Sequence, residues 1–305
     1  MIWNPAEGIT IGSFTLRFYS LMFVIAFGLG YYIMKKVYER ENRSQDELDK
    51  LFMYTFIATL LGARLGHVFF YDWDYYQHNL LEILLPFRFD PFEFTGFAGL
   101  ASHGAAIGII FAMLYYSKLI KKPLLWILDR VVLAITIGGA FVRFGNFFNS
   151  EIYGHVVNKG FPFGIKFIRE DEFWQKNNIF EITQASTRNQ AYQLIETDPR
   201  FASVLEAIPF RHPTQLYEAL GYIILFIVLM IMYWKTDGRN YLGKIFGVFL
   251  VFLWTIRFAV EYVKESQGGF ESALGLFSTG QWLSIPFIIA GIYIWATAKN
   301  RPVKR

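Results

Sequence analysis

The stretch LLWILDRVVLAITIGGAFVRFGNFF, Leu124–Phe148, decides how this chain is built. An α-helix rises about 1.5 Å per residue. A helix of this length therefore crosses a bilayer hydrocarbon core of roughly 30 Å. The Asp129–Arg130 pair lies near one end and reads as a local ion pair. Arg143 lies near the other end, inside the apolar run. A guanidinium cannot usefully shed its proton, and hydrocarbon around it costs at least about 2.5 kcal/mol. A chain that keeps Arg143 there must hold it against an anion or in a wet cavity.

Working outward, the same texture repeats. Of 305 residues, 54% are hydrophobic, 19% aromatic and only 18% charged, where a soluble domain carries about 25% charge. Long apolar runs predict seven spans: Phe14–Met34, Leu51–Tyr71, Phe97–Ser117, Leu124–Phe148, Thr214–Trp234, Leu242–Tyr262 and Gly280–Ala298. The N-terminus lacks a basic region and a small-residue cleavage site, so no cleavable signal is expected. Basic residues cluster in alternate loops: Lys35, Lys36, Arg40, Arg43 and Lys50; Lys118, Lys121 and Lys122; Lys235, Arg239 and Lys244; and Lys299, Arg301, Lys304 and Arg305. By the positive-inside rule these loops face the cytoplasm and the N-terminus lies outside.

The fold class expected is an all-α integral membrane protein with seven transmembrane helices, a periplasmic N-terminus and a cytoplasmic C-terminus. Residues 1–148 supply helices one to four and 214–298 helices five to seven, with a basic tail at 299–305. The Gly- and Pro-containing segment 149–213 reads as a small periplasmic α+β insert. The formal charge of +4 reflects topology and does not suggest nucleic-acid binding. Absence of cysteine excludes disulfides and an enzyme thiol nucleophile. His67, His78, His103, His155 and His212 form no close metal-ligand pair, so neither metal nor cofactor is expected.

Arg143 and Arg257 each lie five residues from the outer end of their span. His103 lies six residues inside its span and Arg64 seven. Helix rise puts all four roughly 8–11 Å below the outer interface. Within VRFGNFFNSEIYG, residues 142–154, Arg143, Asn146 and Ser150 follow a spacing of three and then four. That places them on one helix face. A guanidinium beside an amide suits phosphate oxygens. The simpler reading is that Arg143 pairs with Glu151 or caps carbonyls near the helix end. Arg257 and Glu261 stand four apart and read as an intrahelical pair that could also aim the guanidinium at a phosphate. His103 sits among Ser102, Gly104 and Ala105, where small residues permit close approach of a helix or ligand. A lone histidine in an apolar helix is usually a satisfied packing residue, but an imidazole at the depth of the arginines is a candidate general base. Arg17 and Tyr19 open the first span as interfacial residues. Arg211–Glu218 opens the fifth span, with Pro213 and Thr214 as helix-start signals.

These motifs, in this order, resemble the prolipoprotein diacylglyceryl transferase family over most of the chain. The segment Arg143, Gly145, Asn146, Asn149, Glu151 and Gly154 resembles its signature. Arg17–Tyr19, Gly62–Gly66, His103–Gly104, His212–Glu218, Arg257–Glu261 and Gly280–Pro286 fall in the family's order. Three positions depart from it: Ala105 stands for a second glycine, Leu253 for a tyrosine and Lys264 for an arginine.

The resemblance implies a bacterial inner-membrane enzyme that moves the diacylglyceryl group of phosphatidylglycerol to the lipobox cysteine of a preprolipoprotein signal peptide. A thioether forms and glycerol phosphate leaves. It implies catalytic roles for His103, Arg143, Arg257 and Tyr19. Phosphatidylglycerol binding falls to Arg143, Asn146, Glu151, Gly154, Gln215, Arg257 and Glu261. A transporter or flippase for an anionic solute or lipid is the alternative, and a non-catalytic scaffold a third.

Overall fold

Apolar runs and their capping residues set the helix boundaries. The computed structural model describes residues 1–12, 14–85, 87–89, 92–94, 99–265 and 277–303. Its long helices are α1 Phe18–Arg40, α2 Gln45–Tyr71, α4 Ser102–Leu119, α5 Leu124–Phe148, α10 Thr214–Lys235, α11 Lys244–Glu261 and α12 Thr279–Ala296. Shorter ones are α3 Trp73–Tyr76, α6 Asp171–Lys176, α7 Ile179–Thr183, α8 Arg188–Thr197 and α9 Ala202–Ala207. Five helices, α1, α2, α5, α10 and α12, are long and apolar enough to cross a membrane. The other two long ones, α4 and α11, fall outside that set. Lys244 and Glu261 stand at the two ends of α11 and Arg257 lies within it.

Each expected apolar run overlaps one of the seven long helices, with local corrections to the bounds. Helix α2 begins at Gln45 rather than Leu51, because the Glu47 amide donates to Ser44 Oγ and Asp46 and Glu47 complement the helix dipole. A reciprocal Ser278–Gln281 capping box starts α12. The first span does not begin at Phe14. Strand β3, Phe14–Arg17, instead pairs antiparallel with β2, Gly8–Ile11, around a turn in which Gly12 has φ +64°. Phe97, the expected start of the third span, and Lys304 and Arg305 of the basic tail lie outside the described residues.

Two compact units emerge, Met1–Gly30 with Val132–Arg305, and Tyr31–Val131. Within Tyr31–Val131, α2 and α4 cross at glycines. A Cβ on Gly104 would come 2.1 Å from the Gly62 carbonyl oxygen and 2.6 Å from Gly66 Cα. The small residues beside His103 thus serve helix contact. Arg64, only 5% exposed, donates from Nε to Ile83 O at 2.9 Å and from Nη2 to Glu82 O at 2.6 Å. Its guanidinium also lies over the Tyr76 ring. Arg64 therefore anchors the 3-10 turn Leu80–Ile83. The hairpin of β4, Phe87–Phe89, and β5, Phe92–Phe94, carries Arg88. Arg130 ion-pairs with Glu41 at 2.8 Å and lies 3.9 Å from Asp129.

In the other unit, short strands tie the segment after α5 to the rest. Strand β1, Ile2–Trp3, pairs in parallel with β7, Lys166–Phe167. Strand β6, Val156–Val157, pairs antiparallel with β8, Phe210–Arg211. Helices α6 to α9 close over a core of Ile168, Ile179, Tyr192, Ile195 and Ile208. Arg211 is buried at the end of this layer, paired with Glu170, Glu172 and Glu265 and stacked on Tyr153. A second cluster, Phe147, Ile165 and Phe167 with Trp3, Tyr153 and Leu216, joins it to the ends of α5 and α10.

The α2–α4 glycine contact gives the first prediction. Gly104→Val forces the helices apart and should lower stability by about 1–3 kcal/mol. Gly28→Ala, at a glycine with open space beyond it, should not. Thermal unfolding in detergent compares the two.

Candidate active site

Helix α5 carries the core of the site. Arg143 Nη1 donates to Asn146 Oδ1 at 3.1 Å, the contact expected of residues three apart. Asn146 Nδ2 donates to Glu151 Oε2 at 3.3 Å, and Asn149 Nδ2 to Glu151 Oε1 at 2.9 Å. The helix ends at Phe148, and Ser150 has φ +58°. Ser150 therefore does not continue the Arg143–Asn146 face. The backbone reverses there and brings Glu151 back to the asparagines.

Arg143 does not pair with Glu151. Its Nε forms an ion pair with Glu218 of α10, a carboxylate only 2% exposed. Four residues on, Tyr222 lies close enough to Arg257 of α11 for the two to interact electrostatically. Glu218 also acts electrostatically on Arg257. Glu218 and Tyr222, on one face of α10, thus stand between the two arginines. The Arg257 guanidinium lies over the Trp254 ring, 5.5 Å from its centre. Its Nε is buried and lacks an acceptor. As part of the Arg211–Glu218 helix start, Glu218 gives no sign of this role, and Tyr222 is not among the candidate site residues. Polar residues at 215, 218 and 222 share one face of an apolar helix, a signal that could have found both.

The expected pairing of Arg257 with Glu261 gives way to another. Glu261 Oε2 lies 3.7 Å from Lys264 Nζ. Burial pulls the Lys264 ammonium below the ordinary lysine range. Gly280 packs so tightly on the Glu261 carboxyl that a Cβ there would lie 2.5 Å away.

Backbone crossings hold these helices in register. The Gly154 amide donates to His212 O at 2.8 Å, and Gly154 bridges to Lys264. A Cβ on Gly154 would come 2.2 Å from Val263 O. Gln215 Nε2 donates to the Glu151 carbonyl, and Thr214 Oγ1 to Ile152 O at 2.6 Å. Tyr19 of α1 lies against Gly145, where a Cβ would meet its ring at 2.9 Å. Arg143 and Glu151 both act electrostatically on its hydroxyl.

One unit therefore gathers Tyr19, Arg143, Asn146, Glu151, Gly154, Gln215, Arg257 and Glu261. Arg17 is exposed at the end of its hairpin. His103 is an exposed residue in the first turn of α4, in the unit Tyr31–Val131. Chemically, the cluster offers two fixed guanidiniums and an ammonium to an anion, with carboxylates and amides orienting them.

Comparison with known proteins places the chain in a class. A model described as prolipoprotein diacylglyceryl transferase matches residues 7–297, and the chain belongs to that family. Among similar proteins, the phosphatidylglycerol–prolipoprotein diacylglyceryl transferase of Bacteroides fragilis is 34% identical over 99% of this chain and 97% of its own length. Proteins of the same name from Porphyromonas gingivalis and Tolumonas auensis are 36% and 35% identical. Each alignment covers 96% of this chain, and 93% and 96% of the respective relative.

Removing Glu218 tests the architecture. Glu218→Ala leaves Arg143 without its buried counter-ion and should destabilise the protein by about 3–5 kcal/mol. The measurement is the unfolding midpoint in detergent. Asp237→Ala, which breaks an exposed pair with Lys244, should cost less than about 1 kcal/mol.

Proposed function

We propose that this protein transfers the diacylglyceryl group from phosphatidylglycerol to the lipobox cysteine thiol of a preprolipoprotein. The protein crosses the bacterial inner membrane seven times, with its N-terminus and the 149–213 segment outside and its C-terminus in the cytoplasm. Sulfur bonds to the glyceryl carbon, the carbon–oxygen bond to phosphate breaks, and glycerol phosphate leaves with the electron pair. The observation that carries this reading is the pair of arginines on α5 and α11 held about Glu218 and Tyr222, with the Arg257 Nε–H buried and unpaired. A departing phosphate monoester develops negative charge that such donors stabilise.

In this scheme Arg143 and Arg257 bind the phosphate, and Asn146 and Glu151 keep Arg143 oriented. Tyr19 joins the catalytic set beside them. Gln215 and Gly154 shape the wall, and Glu261 sets the charge near Arg257. The acceptor thiol, with an unperturbed pKa near 8.5, loses its proton to His103 as it attacks. Both substrates reside in the bilayer, which lowers the entropic cost of their meeting. A transporter or flippase for an anionic solute or lipid gains no support from the named relatives.

Transfer of labelled diacylglyceryl from phosphatidylglycerol to a lipobox peptide in detergent tests the scheme. Arg143→Ala should lower turnover about 10²–10³-fold, and full activity removes the phosphate role. His103→Gln should abolish base-dependent turnover; a rate unchanged across pH removes that assignment.

A further inference from the structure

A cavity beside Glu151 has no role in the scheme above. Its volume is about 640 Å³, and Ser150, Glu151, Asp171, Glu172, Gln175 and Glu265 line it. That volume falls within the range of ligand clefts, roughly 300–1,000 Å³. Ile152 and Tyr153 complete the wall, and four of the eight lining residues are carboxylates. Arg211 offsets part of the charge, donating to Glu172 Oε2 at 2.6 Å and to Glu265 Oε2 at 3.0 Å. Lys176 lies 3.3 Å from Glu172, and His155 3.1 Å from Glu265. Among the described residues, Glu151 and Asp171 have no cation within ion-pair distance. The cavity therefore keeps an excess of negative charge.

Ser150 adds an independent sign. It is 3% exposed, it lines the cavity, and its Oγ has no hydrogen-bond partner. Leaving a buried hydroxyl unpaired is unfavourable, and a polar chain in the cavity would pair it.

Glu151 links the cavity to the Arg143 cluster. Its carboxylate accepts from Asn146 and Asn149 on the Arg143 side, while the residue also forms the cavity wall. In the reaction the acceptor sulfur must meet the lipid carbon beside the phosphate. An extended polypeptide advances about 3.3–3.6 Å per residue. The residues just after the cysteine therefore fall within reach of the far side of Glu151.

We propose that this cavity is a subsite for the acceptor polypeptide, holding the residues that follow the modified cysteine and favouring basic over acidic side chains there. The proposal rests on the transferase reading, since it takes its occupant from it.

Binding and transfer are measured separately to test it. Labelled lipobox peptides with serine in place of the cysteine carry Lys-Lys, Gln-Gln or Glu-Glu directly after that position. Their binding to the full-length protein in detergent is followed by fluorescence anisotropy, and transfer with the matching cysteine peptides. Lys-Lys should bind about fivefold tighter than Gln-Gln, and Glu-Glu more weakly than either, with the differences shrinking in high salt. Asp171→Asn should narrow this order and Asp171→Lys should remove or invert it, in variants that keep the wild-type elution on size exclusion. Equal affinities for the three peptides in the wild type overturn the subsite, and so does an unchanged order in both variants. Charge-selective binding without any transfer supports the subsite and overturns the transferase reading.

Discussion

The ion pair between Arg143 and Glu218 is the contact on which the site is built. Neither group is tolerable alone away from water. Arg143 reaches α10 because Glu218 is there, and Arg257 feels the charge of Glu218 from α11. Three helices that could otherwise slide along apolar faces acquire one register. The guanidiniums that result are fixed in direction, as a group meant to receive phosphate oxygens must be.

Glycine does the complementary work of closing distances. Gly145 admits the Tyr19 ring, Gly154 lets three chain segments cross, and Gly280 seats the Glu261 carboxyl. At each place a Cβ would collide with its neighbour, so the polar side chains meet only because no side chain stands between them. The family signature around Arg143 therefore mixes two kinds of residue. Arg143, Asn146 and Glu151 carry chemistry, whereas Gly145 and Gly154 carry proximity.

Much of this was legible from residue order. The fourth span was read at its observed bounds, and Arg143 with Asn146 was read as one face. Other features were not legible for physical reasons. The hairpin ending at Arg17 looks apolar enough to be helix, and only the pairing of β2 with β3 distinguishes it. Ser150 follows helical spacing, yet its left-handed backbone takes it off the helix. Arg64 resembles Arg143 and Arg257 in its apolar surroundings, but it donates to the carbonyls of Glu82 and Ile83. Arg211 gave little sign of gathering three carboxylates, because Glu170, Glu172 and Glu265 lie far from it in sequence.

Residue order by itself determined the helical membrane character, the family, and which polar residues sit in apolar surroundings. Hydrophobic length and the free energy of buried charge depend on composition along one helix, and so can be read from it. Only the tertiary structure decided which partner each charge takes. It moved Arg143 from Glu151 to Glu218, Glu261 from Arg257 to Lys264, and opened an acidic cavity behind Glu151. Those choices turn on distances between segments remote in sequence, where a few ångströms separate an ion pair from a bystander.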